Sequence, residues 1–270
     1  MVDKKIKKYF LAFHTVFNVH ENVQWLEEFL IYYINLGFTQ FYLYDNTKSQ
    51  GRNESRLPGG VNYKINGLNK YGFKITNKPL HLIEDIKQKY KDYITYVNWE
   101  PLDDKNKVWY GHNESVTHLI DNFSNEIEWC AFFDLDEFIF SPVNANLINL
   151  LKNTNNTDSI ILKQKKFLDR HLSSNKYITQ EFRAINKPPV DFKAHKHIIK
   201  VSTYKGIKNI HTFLNKNSIR INPKQWRFNH YNSNARLIEW MNKKFNLHWD
   251  KWYNGEDTSM KRYSYLFKDI

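Results

Sequence analysis

The 270-residue chain reads as an α/β protein: a mainly parallel central sheet flanked by helices. Two patterns predict this. Through the first half, short apolar or aromatic runs alternate with segments of helical periodicity, the signature of strand–helix–strand units. Each such run then breaks off in polar or acidic residues: Asn18-Val19-His20-Glu21, Asp45-Asn46, and Asp134-Leu135-Asp136-Glu137. Sheets of this kind bind ligands beyond the carboxyl ends of their strands. Those three breaks are therefore the places to look for chemistry.

Tyr9–Phe17 (YFLAFHTVF) has the composition of a buried strand. Asn22 is placed to cap a helix in which Leu26, Phe29, Leu30, Tyr33 and Ile34 recur at helical spacing, with Gly37 as its stop. The aromatic run 38–44 (FTQFYLY) is strand-like and ends at Asp45-Asn46. Residues 46–70 gather Asn, Ser, Gly and Pro around Pro58-Gly59-Gly60, which predicts a loop. A second helix follows Pro79, the next strand spans 93–99, and Val116, Leu119, Ile120 and Phe123 mark a third helical face before a strand at 129–133. From about residue 145 the pattern mixes short strand-like pieces with two late helices. No repeat and no linker divides the chain, so one domain over 1–270 is expected.

Composition bounds the function classes. With 41% hydrophobic and 16% aromatic residues, the chain has ample material for a core, which excludes a disordered protein. No stretch approaches the ~20 apolar residues of a membrane span. The charged start MVDKKIKKYFLAFHTVF has only a short apolar run, interrupted at His14, and no small-residue cleavage site. It reads as a first core strand rather than a signal peptide. The lone Cys130 excludes an internal disulfide and fits a reducing compartment, so a cytoplasmic protein is expected. The net charge of +12 suits a phosphorylated ligand or another polyanion, but it is spread along the chain as on any Lys-rich surface. Charge alone decides nothing.

The segment EWCAFFDLDEFIF is more specific. It sets three carboxylates directly after an apolar strand and before another apolar run. In extended geometry Asp134 and Asp136 would point to one side. Carboxylates so close repel each other unless a cation lies between them, and burying them without a partner is costly. Mg²⁺ and Mn²⁺ prefer oxygen ligands and share sites with substrate phosphates. The plain alternative is an acid-rich turn.

This segment resembles the "W-hydrophobic-D-hydrophobic-D-E-F" signature of the glycosyltransferases of family 92 and the related family-2-like enzymes. NVHENVQWLEEFLIYYINLGFTQFYLYDN is similar to the first strand–helix–strand unit of that group, and FKAHKHIIKVSTYKGIKNIHTF and NHYNSNARLIEWMNKK are similar to its later elements. The order matches over most of residues 10–245. Two details depart: the usual Arg of the first element is absent, where Phe17-Asn18 and His20-Glu21-Asn22 stand, and Ser233 is displaced.

The resemblance implies a GT-A-like nucleotide-diphospho-sugar transferase fold, with 1–140 binding the donor and 141–270 binding the acceptor and closing the site. It implies Mn²⁺ or Mg²⁺ as cofactor, a nucleoside-diphosphate sugar (UDP foremost) as donor, and a glycan or other hydroxyl acceptor. Asp136 would ligate the metal, and Asp134 would contact the ribose, the ion or its water. His230 or His211 would add an imidazole ligand, with His230 favoured because basic residues follow it. Asp45 and Asn46 would bind the base or ribose, unless they simply start a turn, and Asn18 and Glu21 would border the base. Arg227, Arg236, Lys243 and Lys244 would face the phosphates. The general base of an inverting transfer would be Asp169, Glu181 or Asp191. Two rivals remain: a basic nucleic-acid-binding protein with stacking aromatics, and a metal-dependent nucleotidyltransferase or phosphohydrolase. Neither accounts as well for the acids after the strand, and no nucleic-acid partner is expected.

Overall fold

A computed structural model describes residues 8–49, 78–167, 177–181, 184–186, 194–231 and 253–268, with 20–22, 78–79, 181, 184–186 and 253 by backbone alone. Strand β1 (Tyr9–Phe17) runs parallel to β2 (Gln40–Asp45) on one side and to β4 (Ile127–Phe132) on the other, and β3 (Ile94–Asn98) extends the sheet beyond β2. The crossovers are helical: α1 (Val19–Asn35), α2 (Lys78–Lys89) and α3 (His112–Phe123). Each is long enough to return the chain to the start of a parallel neighbour. The carboxyl ends of β1, β2 and β4 therefore open on one edge.

Helix α1 begins at Val19, so Asn22 lies inside it rather than capping it. Its first N–H is satisfied from a distance: Val19 N donates to Thr47 Oγ1 at 2.8 Å. A residue from the next strand's end thus does the work assigned to a local cap. Gly37 ends the helix as expected, at φ +96°, with Phe38 N bonded to Tyr33 O at 3.0 Å.

The sheet is mixed, not mainly parallel. After β4 come β5 (Glu137–Phe140), α4 (Leu147–Asn153), β6 (Ser159–Phe167), α5 (Ile178–Glu181), β7 (Ala184–Asn186) and β8 (His195–Lys200). Strand β8 lies antiparallel between β4 and β6, and β6 is antiparallel to β7. The helical strand–helix–strand units of the first half do not continue here. A helix of 7 residues and one of 4 residues do not make the long crossovers that α1 to α3 make. Short strands β9 (Ile207–Asn209) and β10 (Thr212–Phe213) pair with each other, and β11 (Ser218–Arg220) joins β6. Strand β12 (Arg227–Tyr231) inserts between β5, antiparallel, and β6, parallel, while β13 (Tyr253–Glu256) pairs with β7. A 3₁₀ segment, Ser259–Phe267, follows.

Alternation along β1 divides the core. Leu11 and Phe13 face α1, where Phe13 meets Phe29 and Tyr33 at ring-centroid distances of 4.7 and 4.5 Å. Ala12 and Val16 face the other way, with Tyr42, Tyr44, Cys130 and Phe132, under Val116 and Leu119 of α3. Two tyrosines of α1 also hold β5 in place. Tyr32 Oη donates to Ile139 O at 2.7 Å, and Tyr33 Oη donates to Glu137 O at 2.8 Å while accepting from Ile139 N. Among the described residues, no helix is long and apolar enough to cross a membrane.

Asp257, just after β13, ties two strands together: its Oδ2 accepts from Lys165 Nζ at 2.7 Å and from Arg227 Nη2 at 2.8 Å. Burial alone would raise its pKa, but the Lys165 bond and the Ser259 bonds outweigh burial and hold the carboxyl well below the usual range. Its stability contribution is thus present above the unfolded-chain pKa of about 3.9 and lost as pH falls towards the lower folded value. Asp257→Ala should cost about 3 kcal/mol, because two largely buried cations lose their partner. Asp257→Asn should show a flatter acid limb in pH-dependent urea unfolding than the wild type. Parallel curves would refute the assignment.

Candidate active site

The acidic segment forms a closed turn at the carboxyl end of β4. The strand ends at Phe132, residues 135–136 turn, and β5 starts at Glu137. Asp134 N donates to Glu137 Oε2 at 2.9 Å, and Glu137 N donates to Asp134 O at 3.0 Å. Strand alternation therefore does not set the directions of Asp134 and Asp136; the turn does.

A cation already sits in this turn. Lys196 of β8 places Nζ 2.9 Å from Asp134 Oδ2 and 3.0 Å from Glu137 Oε2. The Lys196 and Glu137 side chains are only 1% and 2% exposed, whereas Asp134 keeps 36%. One ammonium cannot balance two carboxylates, and the buried one bears the deficit. Burial pushes Glu137 up to about 7 against the pull of Lys196. Burial acts on Asp134 in the same sense, but Lys196 and then His112 overcome it and hold Asp134 well below the carboxylate range. Lys196 itself would be lowered by burial, yet Asp134 and Glu137 together raise it, so it stays charged.

The second half of the site is His230 on β12, paired in register with Glu137. Its Nδ1 lies 3.0 Å from Gln164 Oε1 and 3.7 Å from Glu137 Oε1. Facing two acceptor oxygens, Nδ1 carries the proton, which leaves Nε2 as a lone pair in the neutral ring. That lone pair is 3.5 Å from Asp136 Oδ2. Burial lowers the His230 pKa, but Asp136 more than reverses this, so the pair has a raised demand for positive charge. A divalent ion would answer it. A carboxylate, a neutral imidazole, and an orienting acceptor on the far ring nitrogen are the donor set a metal-binding histidine normally has. Asp134 Oδ1, shielded and without a hydrogen-bond partner among the described residues, is a further oxygen of the same turn. No three His, Cys, Asp or Glu side chains form a ready-made cage among the described residues. Asp136 and His230 are two ligands, and an ion held there would need phosphate oxygens and water for the rest.

The other predicted residues are distributed as follows. His211, between β9 and β10, donates from Nδ1 to His195 O at 2.8 Å, and its pKa is lowered by burial and then by Lys196. Asp45 Oδ1 accepts from Thr47 N at 2.9 Å and from Thr47 Oγ1, and its Oδ2 accepts from Tyr96 Oη at 2.6 Å. Asn46 Nδ2 donates to Trp99 O and Trp109 O, both at 2.9 Å, which clamps the segment after β3. Both residues thus serve the turn that caps α1. Asn18 is buried between β1 and α1. Arg227 is engaged by Asp257 and by Asn229 Oδ1, the latter at 3.0 Å from Nε. Glu21 and Glu181 lie in α1 and α5 with their side chains outside the described residues, and Asp169, Asp191, Ser233, Arg236, Lys243 and Lys244 lie outside them altogether.

Four residues were not singled out from sequence: Lys196, Gln164, His14 and His112. His14 is fully buried, neither ring nitrogen has a partner among the described residues, and burial pushes its pKa far down. Burial likewise lowers His112 to about 4, with Asp134 opposing. For Lys196 a signal was present: a lysine between strand residues of HKHIIK, in a chain with an excess of acids to bury at DLDE.

The model of glycosyltransferase family 92 matches residues 66–265, well over half of the chain. The chain belongs to glycosyltransferase family 92. It is an enzyme of the glycosyltransferase class, with a sugar donor and a glycan acceptor. The span matched to family 92 includes the acidic turn, Gln164, Lys196 and His230, and it begins after β1, α1 and β2. No curated protein matches this family-92 chain. Among solved structures, the 4-diphosphocytidyl-2C-methyl-D-erythritol synthase of Anaerococcus prevotii DSM 20548 superposes with a TM-score of 0.38 at 9% identity, covering 89% of this chain and 100% of that one. A UDP-glucose pyrophosphorylase complexed with UDP-glucose gives 0.33 at 11% identity, covering 88% and 99%. At these scores neither likeness bears on the activity.

The ring geometry is directly testable. At a pH well above its raised pKa, His230 should show the Nδ1–H tautomer in nitrogen-15 NMR. Gln164→Leu should move it towards the ordinary mixture. A wild-type ring protonated on Nε2 would refute the orientation argued above.

Proposed function

We propose that the chain is a metal-dependent glycosyltransferase with a GT-A-like site. It would move a sugar from a nucleoside-diphosphate sugar, UDP foremost, to a hydroxyl of a glycan or glycoconjugate, with inversion. The observation that carries this reading is the Asp136–His230 pair. A carboxylate oxygen and an imidazole lone pair face each other at 3.5 Å beyond the carboxyl end of β4, where an α/β sheet binds its ligand. Mn²⁺ or Mg²⁺ bound there supplies neutralisation of the charge that builds on a departing diphosphate. Asp136 and His230 are the residues that would hold the ion, with Gln164 orienting the imidazole. Asp134 Oδ1, shielded and without a hydrogen-bond partner among the described residues, would face the ion or its water. Inversion needs one base on the acceptor side, and Asp169, Glu181 and Asp191 remain the candidates. Inversion rests on analogy with the family. A cytoplasmic address fits the single, buried Cys130.

A panel of nucleotide sugars with Mn²⁺, scored by released nucleoside diphosphate, tests the reaction. Asp136→Ala should abolish turnover while leaving the fold intact, and near-wild-type turnover in that variant refutes the site. Nucleoside diphosphate should raise Tm only when a divalent ion is present, since binding to the folded state alone stabilises it by about 2.7 kcal/mol at a hundredfold excess over Kd. Equal shifts with and without EDTA would argue against an ion bridging protein and diphosphate.

A further inference from the structure

We infer that Lys196 is a built-in counter-cation that divides the acidic turn, so that the site takes up a divalent ion together with the nucleotide diphosphate rather than alone. The inference rests on the metal-dependent reading above. Its premise is a charge count over a very short stretch: Asp134, Asp136 and Glu137 present three carboxylates within four residues. With His230 beside them, such a turn would be a strong site for a bare divalent ion, because affinity rises with the number of charged oxygens. Lys196 changes that. Its ammonium bonds one oxygen of Asp134 and one of Glu137, at 2.9 and 3.0 Å, and removes both from an ion's reach. Asp136, His230 and the other oxygen of Asp134 remain, too few to hold a bare ion tightly. The missing oxygens come with the diphosphate.

Lys196 is fixed in that role. It sits within β8, in register with Leu162 of β6 and one residue from the His197–Phe132 pair with β4, so it is not free to swing away. Its side chain is 1% exposed. Folding alone does not demand this arrangement, since a buried ion pair can often be exchanged for apolar residues of similar volume without loss. Nor does Asp134 need neutralising in order to fold, with 36% of its side chain exposed. An ammonium at this spot does, however, repel a divalent ion approaching Asp136, and it holds Asp134 aimed while leaving Oδ1 unpaired. Lys196 is thus a positioning residue that sets the order of assembly.

The test is Mn²⁺ binding to the full chain, followed by electron paramagnetic resonance of free Mn²⁺, with and without UDP. Wild-type protein should bind Mn²⁺ weakly alone and much more tightly with UDP. Lys196→Met should bind Mn²⁺ without nucleotide roughly tenfold or more tightly than wild type, as expected for removing a unit charge a few ångströms from the ion. The gain conferred by UDP should shrink by a similar factor. Lys196→Met could unfold by stranding Glu137, so Lys196→Met/Glu137→Gln, which removes both buried charges in nearly the same shape, carries the same expectation. A purely structural lysine would change Tm and leave Mn²⁺ affinity alone, and that result overturns the inference. Asp136→Asn separates the two layers. If it loses Mn²⁺ while the Lys196 variants match wild type, only the role of Lys196 falls. If Asp136→Asn binds Mn²⁺ as wild type does, the metal reading fails and the inference falls with it.

Discussion

Lys196 reaches from β8 into a space bounded by two carboxylates, and the carboxyl edge of the sheet is organised around that ammonium. It joins β8 to the turn between β4 and β5, so an antiparallel return strand is held against the parallel half by charge as well as by ladder hydrogen bonds. Glu137 in turn closes the turn by accepting from Asp134 N. The Tyr33 hydroxyl, bonded to Glu137 O and Ile139 N, fixes the start of β5 from the helix side. With β5 placed, β12 pairs to it and delivers His230 opposite Glu137. Without the ammonium, the carboxylates of Asp134 and Glu137 would face each other with no counter-charge between them.

This arrangement separates two electrostatic problems that a linear reading merges. The inner problem, a buried glutamate and its neighbour, is answered by a lysine that belongs to the chain. The outer problem, Asp136 against the Nε2 lone pair of His230, raises the His230 pKa and is open to a cation. The buried histidines His14 and His112 have their pKa lowered by burial.

The first half of the fold was legible because its signals are local. Apolar runs of strand length, helical periodicity ending at Gly37, and acids after β4 each depend on residues close in sequence. Two local inferences failed for tertiary reasons. Asn22 looks like a cap, but Thr47 from the far end of β2 bonds Val19 N and lets α1 start earlier. The sheet looks mainly parallel, but in the second half, where the helices are short, β8 enters antiparallel between β4 and β6. Asp45 and Asn46 stand at the polar break that ends β2. Their oxygens and amide are bonded to Thr47, Tyr96, Trp99 and Trp109, and that is visible only once those residues are brought near.

The chain's residues by themselves determined the class of protein, the strand ends as the places to look for chemistry, and Asp134, Asp136 and His230 as the residues to examine. Periodicity and motif order are properties of the chain, so they survive without coordinates. The partner of each charge was decided only in three dimensions. Lys196 is about sixty residues from Asp134, and Gln164 a similar distance from His230. A charge acts over a few ångströms of space regardless of the length of chain between, and strand pairing alone brings such residues together.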